Sequence, residues 1–203
     1  MARWGVNKKG LRRELAGQIQ RSGTAKKLRT QISESVKRAK RLMLLEFNAH
    51  PVTREIEGGA SAHNISQSLG GVGNLYSFIG FGEGDRPIAP VRRILESSTR
   101  LLLIRHIKGT LAFEVIIEMP SKDDIIKASP LPWAAARSWV IGIEHGLSGL
   151  GQFLVKPGLG RSKGGVQIQG TMRTGGFRNT SYISGKKGIL GHLHANLLRF
   201  LRE

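Results

Sequence analysis

An apolar residue recurs every three or four positions along residues 28–47, and this stripe constrains the fold more than any other feature. Such spacing places all members of the stripe on one side of an α-helix. Thr24 is a suitable N-cap, and Pro51 prevents the helix from continuing far beyond Asn48. The pattern predicts a long amphipathic helix over 24–48. The stripe consists of Leu28, Ile32, Val36, Ala39, Met43 and Phe47.

Three interpretations of this helix are compatible with its pattern. It could pack one face on a sheet of the same chain, form an interhelical contact between subunits, or lie on a membrane surface. The membrane interpretation is the weakest because the stripe has no row of Trp and Phe anchors. No run of the sequence approaches the length of apolar chain that spans a membrane, and we predict no membrane partner.

The formal net charge of +18 lies almost entirely toward the two ends of the chain. Residues 1–41 contain 13 Lys and Arg against 2 acidic residues, and residues 156–203 contain 9 against 1. Residues 42–155 are nearly neutral, with 10 basic and 11 acidic residues. This pattern predicts that the ends contact a polyanion or acidic neighbours. The predicted contact residues are Lys8, Lys9, Arg12, Arg13, Lys26, Lys27, Arg161, Lys163, Arg173 and Arg178.

The charge and glycine distributions divide the chain into three segments. We predict a basic flexible arm over 1–23, since its low apolar content cannot offset the entropy of ordering. An α+β core domain is predicted over 24–155, and a Gly-rich basic segment with a C-terminal helix over 156–203. The final helix is indicated by apolar residues at successive four-residue steps from Ile189 to Leu201.

Strand patterns in the second half of the chain predict a small antiparallel sheet. Residues 100–107 and 111–119 are rich in β-forming residues, and Lys108-Gly109-Thr110 permits a tight turn between them. We also predict strands over 138–144 and 166–169, and short helices over 91–96 and 121–128. The predicted fold class is therefore α+β: a long N-terminal amphipathic helix on a small antiparallel sheet, with long Gly-rich loops and a C-terminal helix.

Residues 57–90 are rich in Gly, Ser, Asn and Pro, which predicts a long loop. Within this loop, residues 74–81 are too apolar for a freely solvated connection, so they pack either on a partner or on the protein's own core. Together with two tryptophans they form the predicted oligomer interface. Its members are Leu75, Tyr76, Phe78, Ile79, Phe81, Trp133 and Trp139.

The sequence offers little support for catalysis, a cofactor or a metal. The chain has no cysteine, and its 6 histidines match no compact ligand pattern such as HExxH. No glycine run completes a nucleotide-binding motif, and Ser148 lacks the setting of a nucleophilic serine. Glu144 beside His145 could perform acid–base chemistry, but without a second carboxylate at a defined spacing a structural pair is favoured. We therefore predict no cofactor, no metal and no enzymatic activity.

Several short runs carry a resemblance to a class of structural proteins. They are NAHPVT at 48–53, NIS at 64–66, GNLYSFIGF at 73–81, PLPW at 130–133, RSW at 137–139, GIEHGLSGLG at 142–151 and RSKGGVQI at 161–168. In these runs the chain resembles the neck and tail-completion proteins, or head–tail connectors, of tailed bacteriophages. The basic N-terminal arm and the Gly-rich segment after 156 depart from that pattern.

The resemblance implies a non-enzymatic virion protein, assembled in the host cytoplasm, whose long N-terminal helix packs on a small antiparallel sheet. It also implies that subunits close into a ring, typically a hexamer, where the head meets the tail. The implied partners are further copies of the chain, adjacent neck, portal or tail proteins, and the DNA in the channel. The resemblance does not distinguish among three roles within the neck, those of stopper, tail terminator and adaptor.

Two other classes of function remain as alternatives. A basic RNA- or ribosome-associated protein could insert such tails into folded RNA, and would bind RNA as a monomer in a salt-sensitive way. A hydrolase using Glu144 and His145 would lose its activity in the variant Glu144→Gln. Oligomers of defined size that form without nucleic acid would favour the ring-forming protein.

Overall fold

The computed structural model describes residues 14–15, 17–18, 23–69, 73–107, 110, 112–145, 153–155, 167–169 and 180–202. Its architecture is α+β, which confirms the predicted fold class. The helices and strands are, in chain order, α1 (Thr24–Ala49), α2 (Pro51–Glu57), a 3₁₀ turn (Gly59–Ser61), α3 (Leu75–Ile79), α4 (Ile88–Ser98), β1 (Arg100–His106), β2 (Phe113–Glu118), α5 (Lys122–Lys127), β3 (Pro130–Leu131), β4 (Ala134–Ser138), α6 (Trp139–Glu144), β5 (Phe153–Val155), β6 (Gln167–Gln169) and α7 (Ile189–Phe200).

Helix α1 is the central element of the core, and it confirms the helix predicted over 24–48. Five residues of its apolar stripe are buried and Leu28 is partly buried against them. The predicted N-cap is wrong by one position, because Gly23 is the cap and Thr24 is already helical. Gly23 has a φ of 67°, a left-handed conformation that glycine adopts without strain. The helix ends at Ala49 because the extended His50 precedes Pro51.

Strands β1 and β2 form the predicted hairpin, and one of its two faces packs toward α1. Its inward side chains are partly buried against the core: Leu101, Ile104, Val115 and Ile117. The register shifts between Leu101 and Leu103, which marks a bulge in β1. Three other cross-strand pairs of the register lie on the opposite face: Arg100 with Glu118, Leu103 with Ile116, and Arg105 with Glu114.

Helix α7 confirms the predicted C-terminal helix and packs along α1. Its buried residues Ile189, Leu193, Leu197 and Phe200 belong to the same core as the stripe of α1. The hydroxyl of Ser35 donates to the carbonyl oxygen of Phe200 at 3.2 Å. The C-terminal helix, predicted within a segment separate from the core domain, therefore completes the core that α1 begins.

The strand predicted over 138–144 is wrong, because Ser138 ends β4 and residues 139–144 form helix α6. The hydroxyl of Ser138 caps the helix by accepting hydrogen bonds from the N–H groups of Val140 and Ile141 at 3.2 and 3.5 Å. Helical geometry also buries Trp139 and Ile143 on the same side of α6. The strand predicted over 166–169 is confirmed at 167–169, where β6 pairs antiparallel with β5.

The loop predicted over 57–90 is partly wrong, because it contains helix α3 and the start of α4. Asn74 caps α3 by accepting a hydrogen bond from the N–H of Ser77 at 2.9 Å. Gly80 ends α3 with a φ of 88°. This pairing of an asparagine N-cap with a left-handed glycine C-cap accounts for so short a helix within a Gly-rich region.

Candidate assembly surface

The outer face of the β1–β2 hairpin is the face directed away from α1, and it is the main candidate for a functional surface. It consists of the three cross-strand pairs of Arg100 with Glu118, Leu103 with Ile116, and Arg105 with Glu114. Within the described part of the chain, β1 and β2 pair only with each other. Both strands therefore have one edge whose backbone groups no described strand occupies, a state that invites pairing with another chain.

Four large apolar side chains on and around this outer face are exposed. Leu103 is 38% exposed and Ile116 is 42% exposed. Leu102 in the bulge and Ile107 at the end of β1 are 49% and 45% exposed. A contiguous exposed apolar patch on a protein surface commonly marks an interaction site.

The sequence of β1 explains why this patch forms. Leu101, Leu102, Leu103 and Ile104 are consecutive, and a strand cannot direct four consecutive side chains into one core. The bulge directs Leu101 and Ile104 inward and leaves the two residues between them exposed. The patch is thus a consequence of an unbroken apolar run in a strand that has only one covered face.

Ion pairs border the apolar centre of the outer face on both sides. The guanidinium of Arg100 donates to the carboxylate of Glu118, and that of Arg105 donates to the carboxylate of Glu114. In each pair the arginine belongs to β1 and the glutamate to β2. The two strands therefore carry opposite charge on this face.

The predicted oligomer interface is corrected by the structure, because four of its seven residues lie in the protein's own core. Leu75, Ile79 and Trp139 are fully buried, and Tyr76 is 5% exposed. Phe78 and Phe81 are partly buried and pack against the same core. Of the seven predicted residues only Trp133 is exposed.

Aromatic contacts explain why the 74–81 segment packs inward. The ring of Phe81 lies 5.4 Å from the ring of Tyr76 and makes an edge contact with Trp139 at 6.3 Å. Trp139 in turn lies 6.1 Å from Tyr182, whose ring stacks on Phe47 of α1. These contacts link α3, α6 and α1 through one continuous group of aromatic side chains, which leaves the segment little to offer a partner.

A buried carboxylate holds the same segment in place. Glu55 of α2 is fully buried and accepts hydrogen bonds from the N–H groups of Ser66 and Leu75, both at 2.7 Å. The side-chain amide of Asn74 donates to the carbonyl oxygens of Ala60 and Ala62 at 2.7 and 3.0 Å. One sequence signal for a structured segment at 74–80 is available: Asn74 and Gly80 are suitable N-cap and C-cap residues for a short helix between them.

The basic residues predicted to contact a partner are only partly within the described chain. Lys26 and Lys27 lie exposed in the first turn of α1, where there is no acidic residue. Exposed Arg29 and Arg41 continue the cationic surface along the helix. Positive charge at a helix N-terminus opposes the helix dipole, so it is stabilised by a nearby anion. The other predicted contacts lie outside the described residues: Lys8, Lys9, Arg12, Arg13, Arg161, Lys163, Arg173 and Arg178.

Glu144, the candidate acid–base residue, has a structural role in this fold. Its side chain is 8% exposed, and one carboxylate oxygen accepts from the N–H groups of Ile183 and Ser184 at 2.9 and 2.5 Å. The other oxygen accepts from the hydroxyl of Ser184. The carboxylate thereby attaches residues 183–184 to α6, and both of its oxygens accept hydrogen bonds from the protein itself.

Comparison with protein-family models, curated proteins and solved structures returned no significant match. Among the residues that the structure describes, no group of three or more His, Asp or Glu is placed to hold a metal ion. None of the described helices is long and apolar enough to cross a membrane.

Proposed function

We propose that this chain is a structural subunit of the head–tail junction of a tailed bacteriophage, where copies of it assemble into a ring. The observation that carries the proposal is the outer face of the β1–β2 hairpin. A protein that buries a full core around α1 still exposes the apolar side chains of Leu102, Leu103 and Ile116. Self-association would cover them.

The hairpin edges give the same surface a means of association. Monomeric proteins usually protect strand edges with lysines, prolines or covering loops. Within the described chain, no strand pairs with the free edge of β1 or β2. Backbone pairing at such an edge supplies directional hydrogen bonds in addition to apolar burial, which suits a permanent assembly.

The cationic N-terminal part of α1 provides a second contact in the proposed particle. Lys26, Lys27 and Arg29 are exposed there. Repetition around a ring would multiply this charge, and a channel lined by it would attract DNA in a strongly salt-dependent way. Acidic surfaces of neighbouring portal, neck or tail proteins are the alternative partners of the same charges.

Sedimentation velocity of the purified chain, at low and high salt and without nucleic acid, tests the proposal. We expect oligomers of one defined size. The double variant Leu103→Lys/Ile116→Lys should remain folded, because both residues are exposed. Each substitution should weaken association by about 1 kcal/mol or more, so the double variant should raise the dissociation constant by more than about tenfold.

The matched control replaces two exposed leucines outside the hairpin. Leu45 in α1 and Leu198 in α7 are 59% and 44% exposed. The variant Leu45→Lys/Leu198→Lys makes the same change of charge and removes at least as much exposed apolar side chain, and should assemble as the wild type does. A chain that stays monomeric at all concentrations, or a control that disrupts assembly equally, would refute the proposed role of the hairpin.

A binding protein for RNA is the second candidate, favoured by the exposed cations of α1. Lys26, Lys27, Arg29 and Arg41 form one basic surface along a helix, a common form of RNA contact. This function predicts tight binding of a structured RNA by the monomer. If RNA binding is present and self-association is absent, the RNA-associated function replaces the ring.

A further inference from the structure

We propose that neighbouring subunits join through the hairpin edges in a head-to-tail manner, with β2 of one copy pairing antiparallel with β1 of the next. The inference rests on the proposed self-assembly and specifies its geometry. The partner at these edges is a second copy of this chain. The charges of the outer face are complementary between two copies only when β2 of one copy meets β1 of the other.

The charge pattern differs between the two strands. On the outer face, β1 presents a basic residue, an apolar residue and a basic residue, whereas β2 presents an acidic residue, an apolar residue and an acidic residue. In β1 the three residues are Arg100, Leu103 and Arg105. Those opposite them in β2 are Glu118, Ile116 and Glu114.

Pairing of identical edges by a two-fold axis would place like charges opposite each other. If two β1 edges met antiparallel about Leu103, Arg100 of each copy would face Arg105 of the other. If two β2 edges met about Ile116, Glu118 would face Glu114. Like charges directly opposite across strands are destabilising, so both symmetric arrangements are disfavoured.

Pairing of β2 with the next copy's β1 repeats the contacts already present inside the hairpin. Glu118 would lie beside Arg100 of the next copy, Ile116 beside Leu103, and Glu114 beside Arg105. Each arginine would then lie between two carboxylates, and the exposed apolar residues would form one continuous row. Opposite-charge and apolar cross-strand neighbours both stabilise a sheet.

The same arrangement permits a closed ring. A contact between two different edges is heterologous, so it leaves one free edge at each end of a growing chain until a rotation closes it. All copies keep α1 on the same side of the extended sheet, because each joins in the same orientation. The bulge between Leu101 and Leu103 adds local twist and bending, which a sheet needs in order to curve and close.

A charge exchange tests which edges meet. The double variant Arg105→Glu/Glu114→Arg keeps an ion pair inside the hairpin, but places the acidic residue in β1 and the basic residue in β2. In the head-to-tail arrangement, variant copies complement each other, whereas a variant copy beside a wild-type copy places like charges together at both junctions. When differently tagged subunits are dissociated, mixed and reassembled, we expect variant and wild type each to form oligomers of normal size. Co-capture of the other tag should fall at least tenfold below the wild-type mixture.

Disulfide trapping supplies an independent measurement, and the chain has no native cysteine to interfere. Leu103→Cys and Ile116→Cys are made in separate, differently tagged chains, which are mixed and then oxidised. Facing residues of adjacent strands are close enough for a disulfide. We expect the mixed disulfide between the two chains to exceed either homodimer severalfold.

The outcomes separate this inference from the proposed function. Oligomers with normal co-capture of the charge-exchanged variant, with homodimeric disulfides, or with no disulfide at all would overturn the edge pairing and leave self-assembly standing. A chain that is monomeric under all conditions would overturn both. Mixed disulfides in an oligomer of defined size, together with exclusion of the charge-exchanged variant, would support both.

Discussion

The substitution Glu55→Gln should destabilise the protein strongly, although it changes few atoms. The buried carboxylate accepts hydrogen bonds from the N–H groups of Ser66 and Leu75 at 2.7 Å. A glutamine side chain has one oxygen, so one of these N–H groups would meet an amide NH₂ that cannot accept. Loss of a charge-assisted hydrogen bond together with a buried unsatisfied donor costs about 2–4 kcal/mol.

Urea denaturation, followed by tryptophan fluorescence and far-UV circular dichroism, measures this loss. With an m-value of roughly 2 kcal/mol per molar urea, the unfolding midpoint should fall by about 1–2 M while the m-value stays constant. The matched control is Glu57→Gln on the same helix, since Glu57 is half exposed and pairs with Arg92 at 2.8 Å. Screening by solvent limits the control's loss to about 0.5 kcal/mol.

If Glu55→Gln lowers the free energy of unfolding by no more than the control does, the carboxylate is not what holds residues 66 and 75 to α2. The variant Glu55→Ala should be at least as destabilised as Glu55→Gln, because it leaves both N–H groups without their acceptor.

Two further predictions concern α7 and the start of α2. Gly191→Ala should lower the melting temperature despite the higher helix propensity of alanine, because its Cβ would lie 2.3 Å from the carbonyl oxygen of Gly185; an unchanged or higher melting temperature would contradict this. Burial lowers the pKa of His50 below its usual 6.5, so its contribution to stability is full above pH 6.5 and is lost as the pH falls through the folded-state pKa. His50→Asn retains an acceptor for the N–H of Val52, and should show a smaller loss of urea midpoint between pH 7.5 and 5.5; equal losses in both proteins would count against the assignment.

The elements that the sequence predicted correctly are those specified by local signals. Helix α1 follows from a long stripe at helical spacing and a proline that ends it, and the β1–β2 hairpin follows from two β-rich runs around a short turn. These signals lie within one element, so no knowledge of the tertiary fold is needed to detect them.

The errors arose where a distant residue decides the outcome. The apolar character of residues 74–81 shows that the segment is buried, but not whether a partner or the protein's own core covers it. Glu55 lies 20 positions before Leu75, and its hydrogen bond to that residue fixes the segment against α2. No spacing rule links two such positions.

The assignment of 138–144 failed for a related reason. A short apolar run is compatible with both strand and helix, so periodicity cannot decide between them. The hydroxyl of Ser138 and the burial of Trp139 against Tyr182 favour the helix. The outer face of the hairpin was missed because strand patterns identify the inward side chains, whereas a bulge decides which of the others remain exposed.

The antiparallel packing of α7 on α1 gives basic residues of the two helices a common direction. The ring of Phe200, near the end of α7, contacts the guanidinium groups of Arg38 and Arg199, which lie 4.2 and 4.6 Å from the ring centre. Farther back along α7, His192 contacts Glu46 near the other end of α1. The end of α7, with exposed Arg199 and Arg202, is therefore directed toward the end from which α1 starts, where Lys26, Lys27 and Arg29 are exposed. Copies aligned in a common orientation would present these cations on one side, giving any assembly a front and a back that an approaching polyanion can distinguish.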